Sequence, residues 1–190
     1  AVDRALDSFE FAQKAHAVEE PRFRIEHFTI TTPSQIQRAR SLGVVAVVQP
    51  GFHFTGGERN RDRVVDMGGD SRPIPLRSML DEGLVVAASS DYPCGPLSPL
   101  TGLYAMTTRR TQQGGDPVTP EEAVDPMEGL RMYTMGAAYA MGREKEVGSL
   151  EMGKRADMVV LSHDPTTVDP EFIRDITVEQ TYIEGQLLYR

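Results

Sequence analysis

Side chains able to bind a metal or transfer a proton follow three apolar stretches of the chain. His27 comes after a short β-prone stretch, Gln49 ends a β-branched run with His53 soon after it, and Asp91 closely follows a third apolar run. Imidazole and carboxylate groups are ligands that zinc and similar divalent metals accept. A carboxylate beside such a metal can also take a proton from water. His27 and Asp91 could therefore share one metal in a hydrolytic site.

Each of these residues also has an ordinary structural interpretation. Asp91 suits the cap of a helix or turn, where aspartate is common. His27 could be a partly buried, hydrogen-bonded strand histidine. For His53 we favour a loop histidine over a ligand, and His16 and His163 are interpreted as surface residues. Residue spacing alone does not decide between a metal site and these roles.

The elements that must position these side chains alternate between helix and strand. Residues 2–17 repeat apolar positions at helical spacing, and residues 23–29 and 44–48 are β-prone. Between those two strands, Thr32 followed by Pro33 predicts a helix start. The apolar residues 84–88 predict a parallel strand buried on both faces. The alternation predicts an α/β fold with a parallel sheet, whose carboxyl edge would carry the chemistry.

The remaining segments predict a long connection, further helices and a separate β region. Residues 51–72 are polar and Gly-rich, which indicates a long loop, either a functional lid or a disordered segment. Periodicity then predicts three helices, and the last fifty residues predict a strand, a helical turn and a hairpin that turns at Glu184-Gly185. The helices are predicted at 75–82, 98–110 and 126–141, and the β region at 158–161, 169–174, 178–183 and 186–189.

Composition narrows the class of protein. The 190 residues suffice for one domain, or one large piece with an appendage, and the net charge of −8 argues against nucleic acid or an anionic membrane as the main partner. Cys94 is the single cysteine, which excludes an internal disulfide and makes the cytoplasm the default location. No apolar run is long enough to cross a bilayer. The absence of a Gly-rich phosphate loop argues against a doubly wound nucleotide-binding domain.

Five segments occur in an order that is similar to one known family. They are Arg24-Ile25-Glu26-His27, Val48-Gln49-Pro50, residues 76–83, Ser89-Ser90-Asp91-Tyr92-Pro93 and residues 148–157. Together they resemble the C-terminal part of the metal-dependent amidohydrolase superfamily, in the branch that includes N-substituted formamide deformylases. Residues 148–161 are the most specific segment, since in that family they return the chain from a barrel to a β-sandwich.

The resemblance implies a TIM-type (β/α)₈ barrel with one or two divalent metal ions, expected to be zinc, at its C-terminal face. Residues 1–147 would be the last three βα units with the helices that follow, and residues 148–190 a portion of a β-sandwich. His27 would bind metal, and Asp91 would bind metal and carry a proton from the attacking water to the leaving nitrogen. Gln49, His53 and Arg72 would lie toward the substrate.

The sequence also departs from the family, because it contains no His-x-His pair and has no residues for the front half of a barrel. We therefore expect a chain that begins mid-protein, from a truncated gene, proteolysis or a split gene. The expected function is hydrolysis of carbon–nitrogen bonds other than peptide bonds in small amide or N-acyl substrates, with the isolated chain inactive. Open sheet edges predict a homo-oligomer. The alternative is a non-catalytic half-barrel that serves as an interaction or assembly module.

Overall fold

The computed structural model describes residues 1–67 and 69–190. Its helices and strands alternate up to residue 108, after which helical segments lead to a β region at the end of the chain. The helices are α1 Val2–Ala15, α2 Pro33–Ser41, α3 Gly51–Met67, α4 Leu76–Asp81, α5 Pro99–Thr108, α6 Pro126–Arg131 and α7 Ala137–Ala140. The strands are β1 Arg24–Glu26, β2 Ile30–Thr31, β3 Val45–Val48, β4 Arg72–Pro73, β5 Val85–Ala88, β6 Met158–Leu161, β7 Val178–Ile183 and β8 Gln186–Tyr189.

The predicted parallel sheet is present and consists of β1, β3 and β5, with β3 in the middle. Val47 of β3 lies opposite Glu26 of β1 on one side and Ala87 of β5 on the other. All four residues of β3 are buried. Burial on both faces explains why the sequence of this strand is a continuous apolar run rather than an alternating one.

The helix between β1 and β3 begins as its sequence predicts. Thr32 accepts a hydrogen bond from the Gln35 backbone N–H at 3.2 Å, and the Gln35 side chain accepts one from the Thr32 N–H at 3.1 Å. Such a reciprocal capping box satisfies two backbone donors that the first turn leaves without partners. Pro33 occupies the first turn, and the chain reverses after the helix at Gly43, whose φ is +65°. The predicted N-cap at Thr32 is confirmed.

The prediction of a long loop at residues 51–72 is wrong. Most of this segment is α3, which is kinked at Gly56, where φ is −155° and ψ is 24°. The helix packs its glycines closely against its surroundings: a Cβ atom at Gly57 would lie 2.9 Å from the Thr111 side chain. Glycine at this position therefore allows close packing and does not mark a loop. β4 follows and pairs with β2 in an antiparallel arrangement.

The helix predicted at residues 126–141 is interrupted. A π-helical turn, Met132–Gly136, separates α6 from α7. Gly136 faces the backbone carbonyl of Val86 so closely that a Cβ atom could not be accommodated without a shift. The helix therefore passes directly over β5 at this turn, a contact that helical periodicity does not reveal.

The C-terminal strands form an antiparallel sheet of their own, in the order β6-β7-β8. β7 and β8 are the two arms of the predicted hairpin, joined by Glu184 and Gly185, whose φ angles are +50° and +77°. β6 pairs with β7. Whether residues 148–190 belong to a β-sandwich stays a prediction. Among residues 1–67 and 69–190, none of the helices combines the length and apolar character needed to cross a membrane.

Candidate metal and hydrolytic site

The structure brings His27 and Asp91 together at the carboxyl edge of the parallel sheet. The Nε2 atom of His27 lies 3.8 Å from the Oδ2 atom of Asp91, although β3 lies between their strands. The two side chains are 54% and 38% exposed, so both donor atoms can be reached from solvent. A single ion with bonds of about 2 Å to each ligand can span this separation.

Backbone turns hold both side chains in place. His27 and Asp91 have φ angles of +57° and +51°, in the left-handed region that His and Asp tolerate better than most residues. The His27 carbonyl accepts a hydrogen bond from the Thr29 N–H at 2.7 Å, and the Asp91 carbonyl accepts one from the Cys94 N–H at 2.8 Å. Each side chain therefore projects from a tight turn that follows its strand, directly for His27 and three residues after Ala88 for Asp91.

The loop that carries Asp91 packs against the start of α3. The Phe52 ring stacks on the His27 ring, with centroids 6.0 Å apart and planes 3° from parallel. Gly95 allows this approach, because a Cβ atom there would lie 2.9 Å from the Phe52 ring and 2.5 Å from the Ser90 carbonyl oxygen. Phe52 and Gly95 were missed by sequence reasoning. Sequence motifs marked this loop through Asp91, but nothing in the sequence showed that Phe52 and Gly95 would meet there.

Gln49 lies at the end of β3, between the strands that carry His27 and Asp91. Its Nε2 atom donates a hydrogen bond to Ser89 Oγ at 3.0 Å. The side chain is buried, and its Oε1 atom has no hydrogen-bond partner in the described part of the chain. A buried carbonyl oxygen without a donor is costly, so this atom is a candidate acceptor for water or substrate.

His53 lies inside the protein rather than on a loop. Its side chain is 1% exposed, and its Nε2 atom lies 3.1 Å from the backbone carbonyl oxygen of Arg109. Burial, together with the nearby Arg109 guanidinium, lowers the pKa of His53 to about 3, although the hydrogen bond to the Arg109 carbonyl opposes the shift. The imidazole is therefore neutral at physiological pH and donates from Nε2. This position gives His53 a packing role between α3 and the end of α5.

Arg72 makes an ion pair rather than a contact with His27 or Asp91. Its Nη1 atom lies 3.0 Å from Glu122 Oε1, and the Glu122 carboxylate also accepts hydrogen bonds from the backbone N–H and hydroxyl of Ser78. The Glu122 side chain is 1% exposed. These bonds connect β4 to α4 and to the 3₁₀ turn at Pro120–Glu122. No comparison tests the predicted substrate contact of Gln49, His53 or Arg72, which stays a prediction.

Arg109 is a buried residue that sequence reasoning missed. Its guanidinium donates to the carbonyls of Pro73, Ile74 and Val118 and to the Thr119 hydroxyl, at 2.7–3.3 Å. Burial lowers the pKa of Arg109 to about 10. The Ile74 N–H in turn donates to the Thr29 carbonyl, two residues after His27. Arg109 thus stabilises the backbone of residues 73 and 74, which contacts the turn after His27. Nothing in the sequence marks Arg109 as buried.

The described residues include two candidate metal ligands, His27 and Asp91. Within residues 1–67 and 69–190 there is no group of three or more His, Cys, Asp or Glu side chains that could hold a metal ion. His27 and Asp91 provide one nitrogen and one oxygen donor on one exposed edge. Their chemistry fits zinc, but a catalytic zinc generally has three protein ligands.

The parallel sheet with its helices defines an α/β fold, and the similar solved structures of metal-dependent hydrolases described below imply a fold of the TIM-barrel type. The profile of the amidohydrolase family matches residues 1–189, and the chain belongs to this family. It is 39% identical to an N-substituted formamide deformylase from Arthrobacter pascens, in an alignment that covers 100% of this chain and 34% of the deformylase. The branch of the family indicated by the sequence motifs is thereby confirmed.

Two solved structures of uncharacterised metal-dependent hydrolases are also similar. The one from Pyrococcus horikoshii OT3 has a TM-score of 0.69 at 25% identity and covers 90% of this chain and 33% of its own. The one from Pyrococcus furiosus has a TM-score of 0.61 at 30% identity, with 82% and 30% covered. The chain thus spans about a third of the length of the relatives it matches.

Proposed function

We propose that this chain is the part of a metal-dependent amidohydrolase that carries His27 and Asp91. The reaction is hydrolysis of carbon–nitrogen bonds other than peptide bonds, in small amide or N-acyl compounds. The observation that carries the proposal is the 3.8 Å approach of the two side chains at the carboxyl edge of the parallel sheet. Membership of the amidohydrolase family and the similarity to a formamide deformylase support it.

His27 and Asp91 would hold a divalent metal, which we propose is zinc. When bound, such an ion lowers the pKa of water and polarises a carbonyl group. His27 contributes Nε2, and the Phe52 ring stacked on its imidazole fixes the direction in which that nitrogen points. Two ligands fall short of a catalytic set, so the complete site needs at least one more donor than His27 and Asp91 supply.

Asp91 would act as the proton carrier. Its carboxylate is partly exposed and lies at the same edge as His27, where it can reach a water molecule and the substrate. It takes a proton from the attacking water at a carboxylate oxygen and gives it to the leaving nitrogen, which restores its charge. The buried Gln49 Oε1 atom would accept a hydrogen bond from a water molecule enclosed beside the site.

We further propose that residues 1–147 correspond to the last three βα units of a barrel with their following helices, and residues 148–190 to part of a β-sandwich. The parallel order β1-β3-β5 and the separate antiparallel sheet support this division. On this basis the isolated chain binds metal weakly and does not turn over substrate.

Zinc binding tests the metal site directly. We expect the 190-residue chain to bind Zn²⁺ in titration calorimetry, and His27→Ala and Asp91→Asn each to weaken binding about tenfold or more, as expected when one of two ligands is lost. His163→Ala is the matched control, because His163 is exposed on the C-terminal region. Equal binding by the His27 and His163 variants would contradict the assignment. Stoichiometric zinc that survives dialysis, with amidase activity abolished by Asp91→Asn, would show that the chain is sufficient alone.

A non-catalytic module remains the alternative, favoured by the finding that the described residues hold no group of three ligands. It predicts a stable assembly whose metal content does not depend on His27. Hydrolysis of N-formyl amines by a protein that contains this chain, lost in Asp91→Asn, would exclude it.

We also propose that the chain forms homo-oligomers in the cytoplasm. β1 and β5 each pair on one side only, and β8 is exposed along its length. Unpaired strand edges favour association with another chain. Light scattering coupled to size-exclusion chromatography is expected to give at least a dimer, and a monomer at micromolar concentration would contradict this. The lone exposed Cys94 is compatible with a reducing compartment.

A further inference from the structure

A cavity of about 480 Å³ opens directly beside His27. Its volume lies within the range of pockets that hold small organic ligands. One wall comes from the turn after β1 and from β2, and the other from α3. The residues that matter here are His27, Thr29, Ile30, Phe52, Arg59 and Arg63.

The charge of this cavity is opposite to that of the protein. The chain has 28 acidic and 20 basic residues, yet no Asp or Glu is among the described residues that line the cavity. Arg59 and Arg63 are four residues apart on α3, so they share one face of the helix. Neither forms an ion pair with a carboxylate in the described part of the chain, whereas Arg61 of the same helix pairs with Asp62 at 3.0 Å. The cavity is therefore positive and its two guanidinium groups are available to a ligand.

The kink of α3 helps to place one of these groups. A Cβ atom at Gly56 would lie 3.0 Å from the Arg59 Nη2 atom. The Arg59 guanidinium thus lies against the kinked backbone, in space that a side chain at residue 56 would occupy. Three carboxylates of α3 border a second cavity that shares both arginines: Glu58, Asp62 and Asp66. They moderate the positive potential without entering the cavity beside His27.

Resting on the proposed hydrolase function, we propose that this cavity binds the anionic end of the substrate, a carboxylate or a phosphate group. The planar guanidinium fork matches both oxyanions with paired, charge-assisted hydrogen bonds. Anchoring at Arg59 and Arg63 would extend the rest of the substrate past Phe52 toward His27 and Asp91. The substrate class is therefore N-acyl or amide compounds that carry an acidic group, such as N-acyl amino acids or amido-alkyl phosphates.

Binding of three related probes to the full 190-residue chain tests this inference. The probes are N-formyl-β-alanine, formamidoethyl phosphate and uncharged N-butylformamide, with Kd measured from ¹H–¹⁵N chemical-shift titration at low salt. We expect at least one anionic probe to bind about tenfold more tightly than the neutral one, with shifts at α3 and near His27. The tighter of the two anions identifies the group. Equal binding of all three probes would overturn the proposal.

Charge-removing variants provide the matched comparison. Arg59→Gln combined with Arg63→Gln is expected to raise the Kd of the anionic probe about tenfold and leave the neutral probe unchanged. Arg61→Gln, on the same helix but outside the cavity, should change neither. Arg59→Lys with Arg63→Lys should retain part of the affinity and guards against a folding defect, which circular dichroism would also detect. An equal loss in the Arg61 variant would overturn the assignment.

Failure of the proposed anion site can be distinguished from failure of the proposed metal site. Asp91→Asn should weaken zinc binding and leave the anion affinity within about twofold, because Asp91 is not among the residues that line the cavity. Loss of anion selectivity with intact, His27-dependent zinc binding refutes the cavity assignment alone. If anion binding depends on the two arginines but zinc binding is unchanged in His27→Ala, only the proposed metal site is refuted.

Discussion

The two three-stranded sheets of the described chain are both rich in apolar residues but are stabilised differently. β3 is an apolar strand with every residue buried, whereas β8, which contains Leu187, Leu188 and Tyr189, is exposed throughout. Helices cover the parallel sheet. The C-terminal hairpin is instead held at its turn by polar bonds: the Glu184 N–H donates to Asp157 Oδ1 at 2.8 Å. Apolar strand content alone therefore does not show which sheet carries the stability of the fold.

The largest expected effect contrasts one leucine from each region. Leu76 is fully buried beneath the parallel sheet, and Leu188 is 66% exposed in β8. Leu76→Ala is expected to lower the free energy of unfolding by about 3 kcal/mol, because it removes buried contacts and leaves a cavity. Leu188→Ala should change it by less than about 0.5 kcal/mol. Urea unfolding of both variants measures the contrast, and similar losses would show that the C-terminal sheet is buried in solution by another chain.

The second effect depends on pH and again compares a buried with an exposed residue. The pKa of His53 is lowered to about 3 in the folded chain, against 6.5 for a free imidazole. The unfolded chain therefore takes up this proton first as the pH falls, so the contribution of neutral His53 to stability is complete above about pH 6.5 and is lost as the pH falls toward 3. The slope approaches about 1.4 kcal/mol per pH unit between these values.

His53→Gln should remove this component, so that the variant loses less stability than the parent chain between pH 7 and pH 5. His163→Gln is the control in the C-terminal region and should leave the pH profile as it is. Denaturant midpoints at a series of pH values report the difference. Parallel profiles for the parent and the His53 variant would mean that the imidazole is solvated in the folded state.

The smallest effect is local. Asp157→Ala removes the acceptor for the Glu184 N–H and an ion pair with Arg155. We expect a loss of about 1 kcal/mol, the usual net value of one such hydrogen bond. Hydrogen exchange should accelerate at the hairpin amides and stay unchanged in β3. Acceleration in both sheets would show that they unfold as one cooperative unit.

The parts of the fold that the sequence predicts are those with a strong local pattern. Residues 44–48 form a strand because burial on both faces requires an unbroken apolar run, and Thr32 with Gln35 marks a helix start by its own hydrogen bonds. α3 was missed because its most buried early positions are His53 and the glycines at 51, 56 and 57, which carry no apolar periodicity. The π turn over β5 likewise depends on a tertiary contact at Gly136.

The residues of the candidate site likewise include some that the sequence identifies and some that only the folded chain shows. His27 and Asp91 were identified because strand ends and sequence motifs both point to them. Arg109 and the arginines of α3 were not, since a charged residue in a sequence predicts exposure and only the folded chain shows which charges are enclosed or converge on a cavity. Phe52 was not identified because its stacking on His27 is a tertiary contact. Arg72 was assigned to the substrate side by the family resemblance and lies in none of the five motif segments, and the structure shows it paired with the buried Glu122.

The left-handed backbone at His27 and Asp91 has a consequence for randomised libraries. Side chains other than Gly, Asn, Asp and His are disfavoured at such φ angles, and β-branched residues most of all. A library randomised at both positions and sorted only for folded protein should therefore already be restricted to these few residue types, before any selection for metal. Asparagine should be common in the folded pool, because it tolerates the left-handed turn. It lacks the imidazole or carboxylate group that is proposed to bind the metal. Selection for folding would then restrict residues 27 and 91 first, and a later selection for metal binding would restrict the same two positions further.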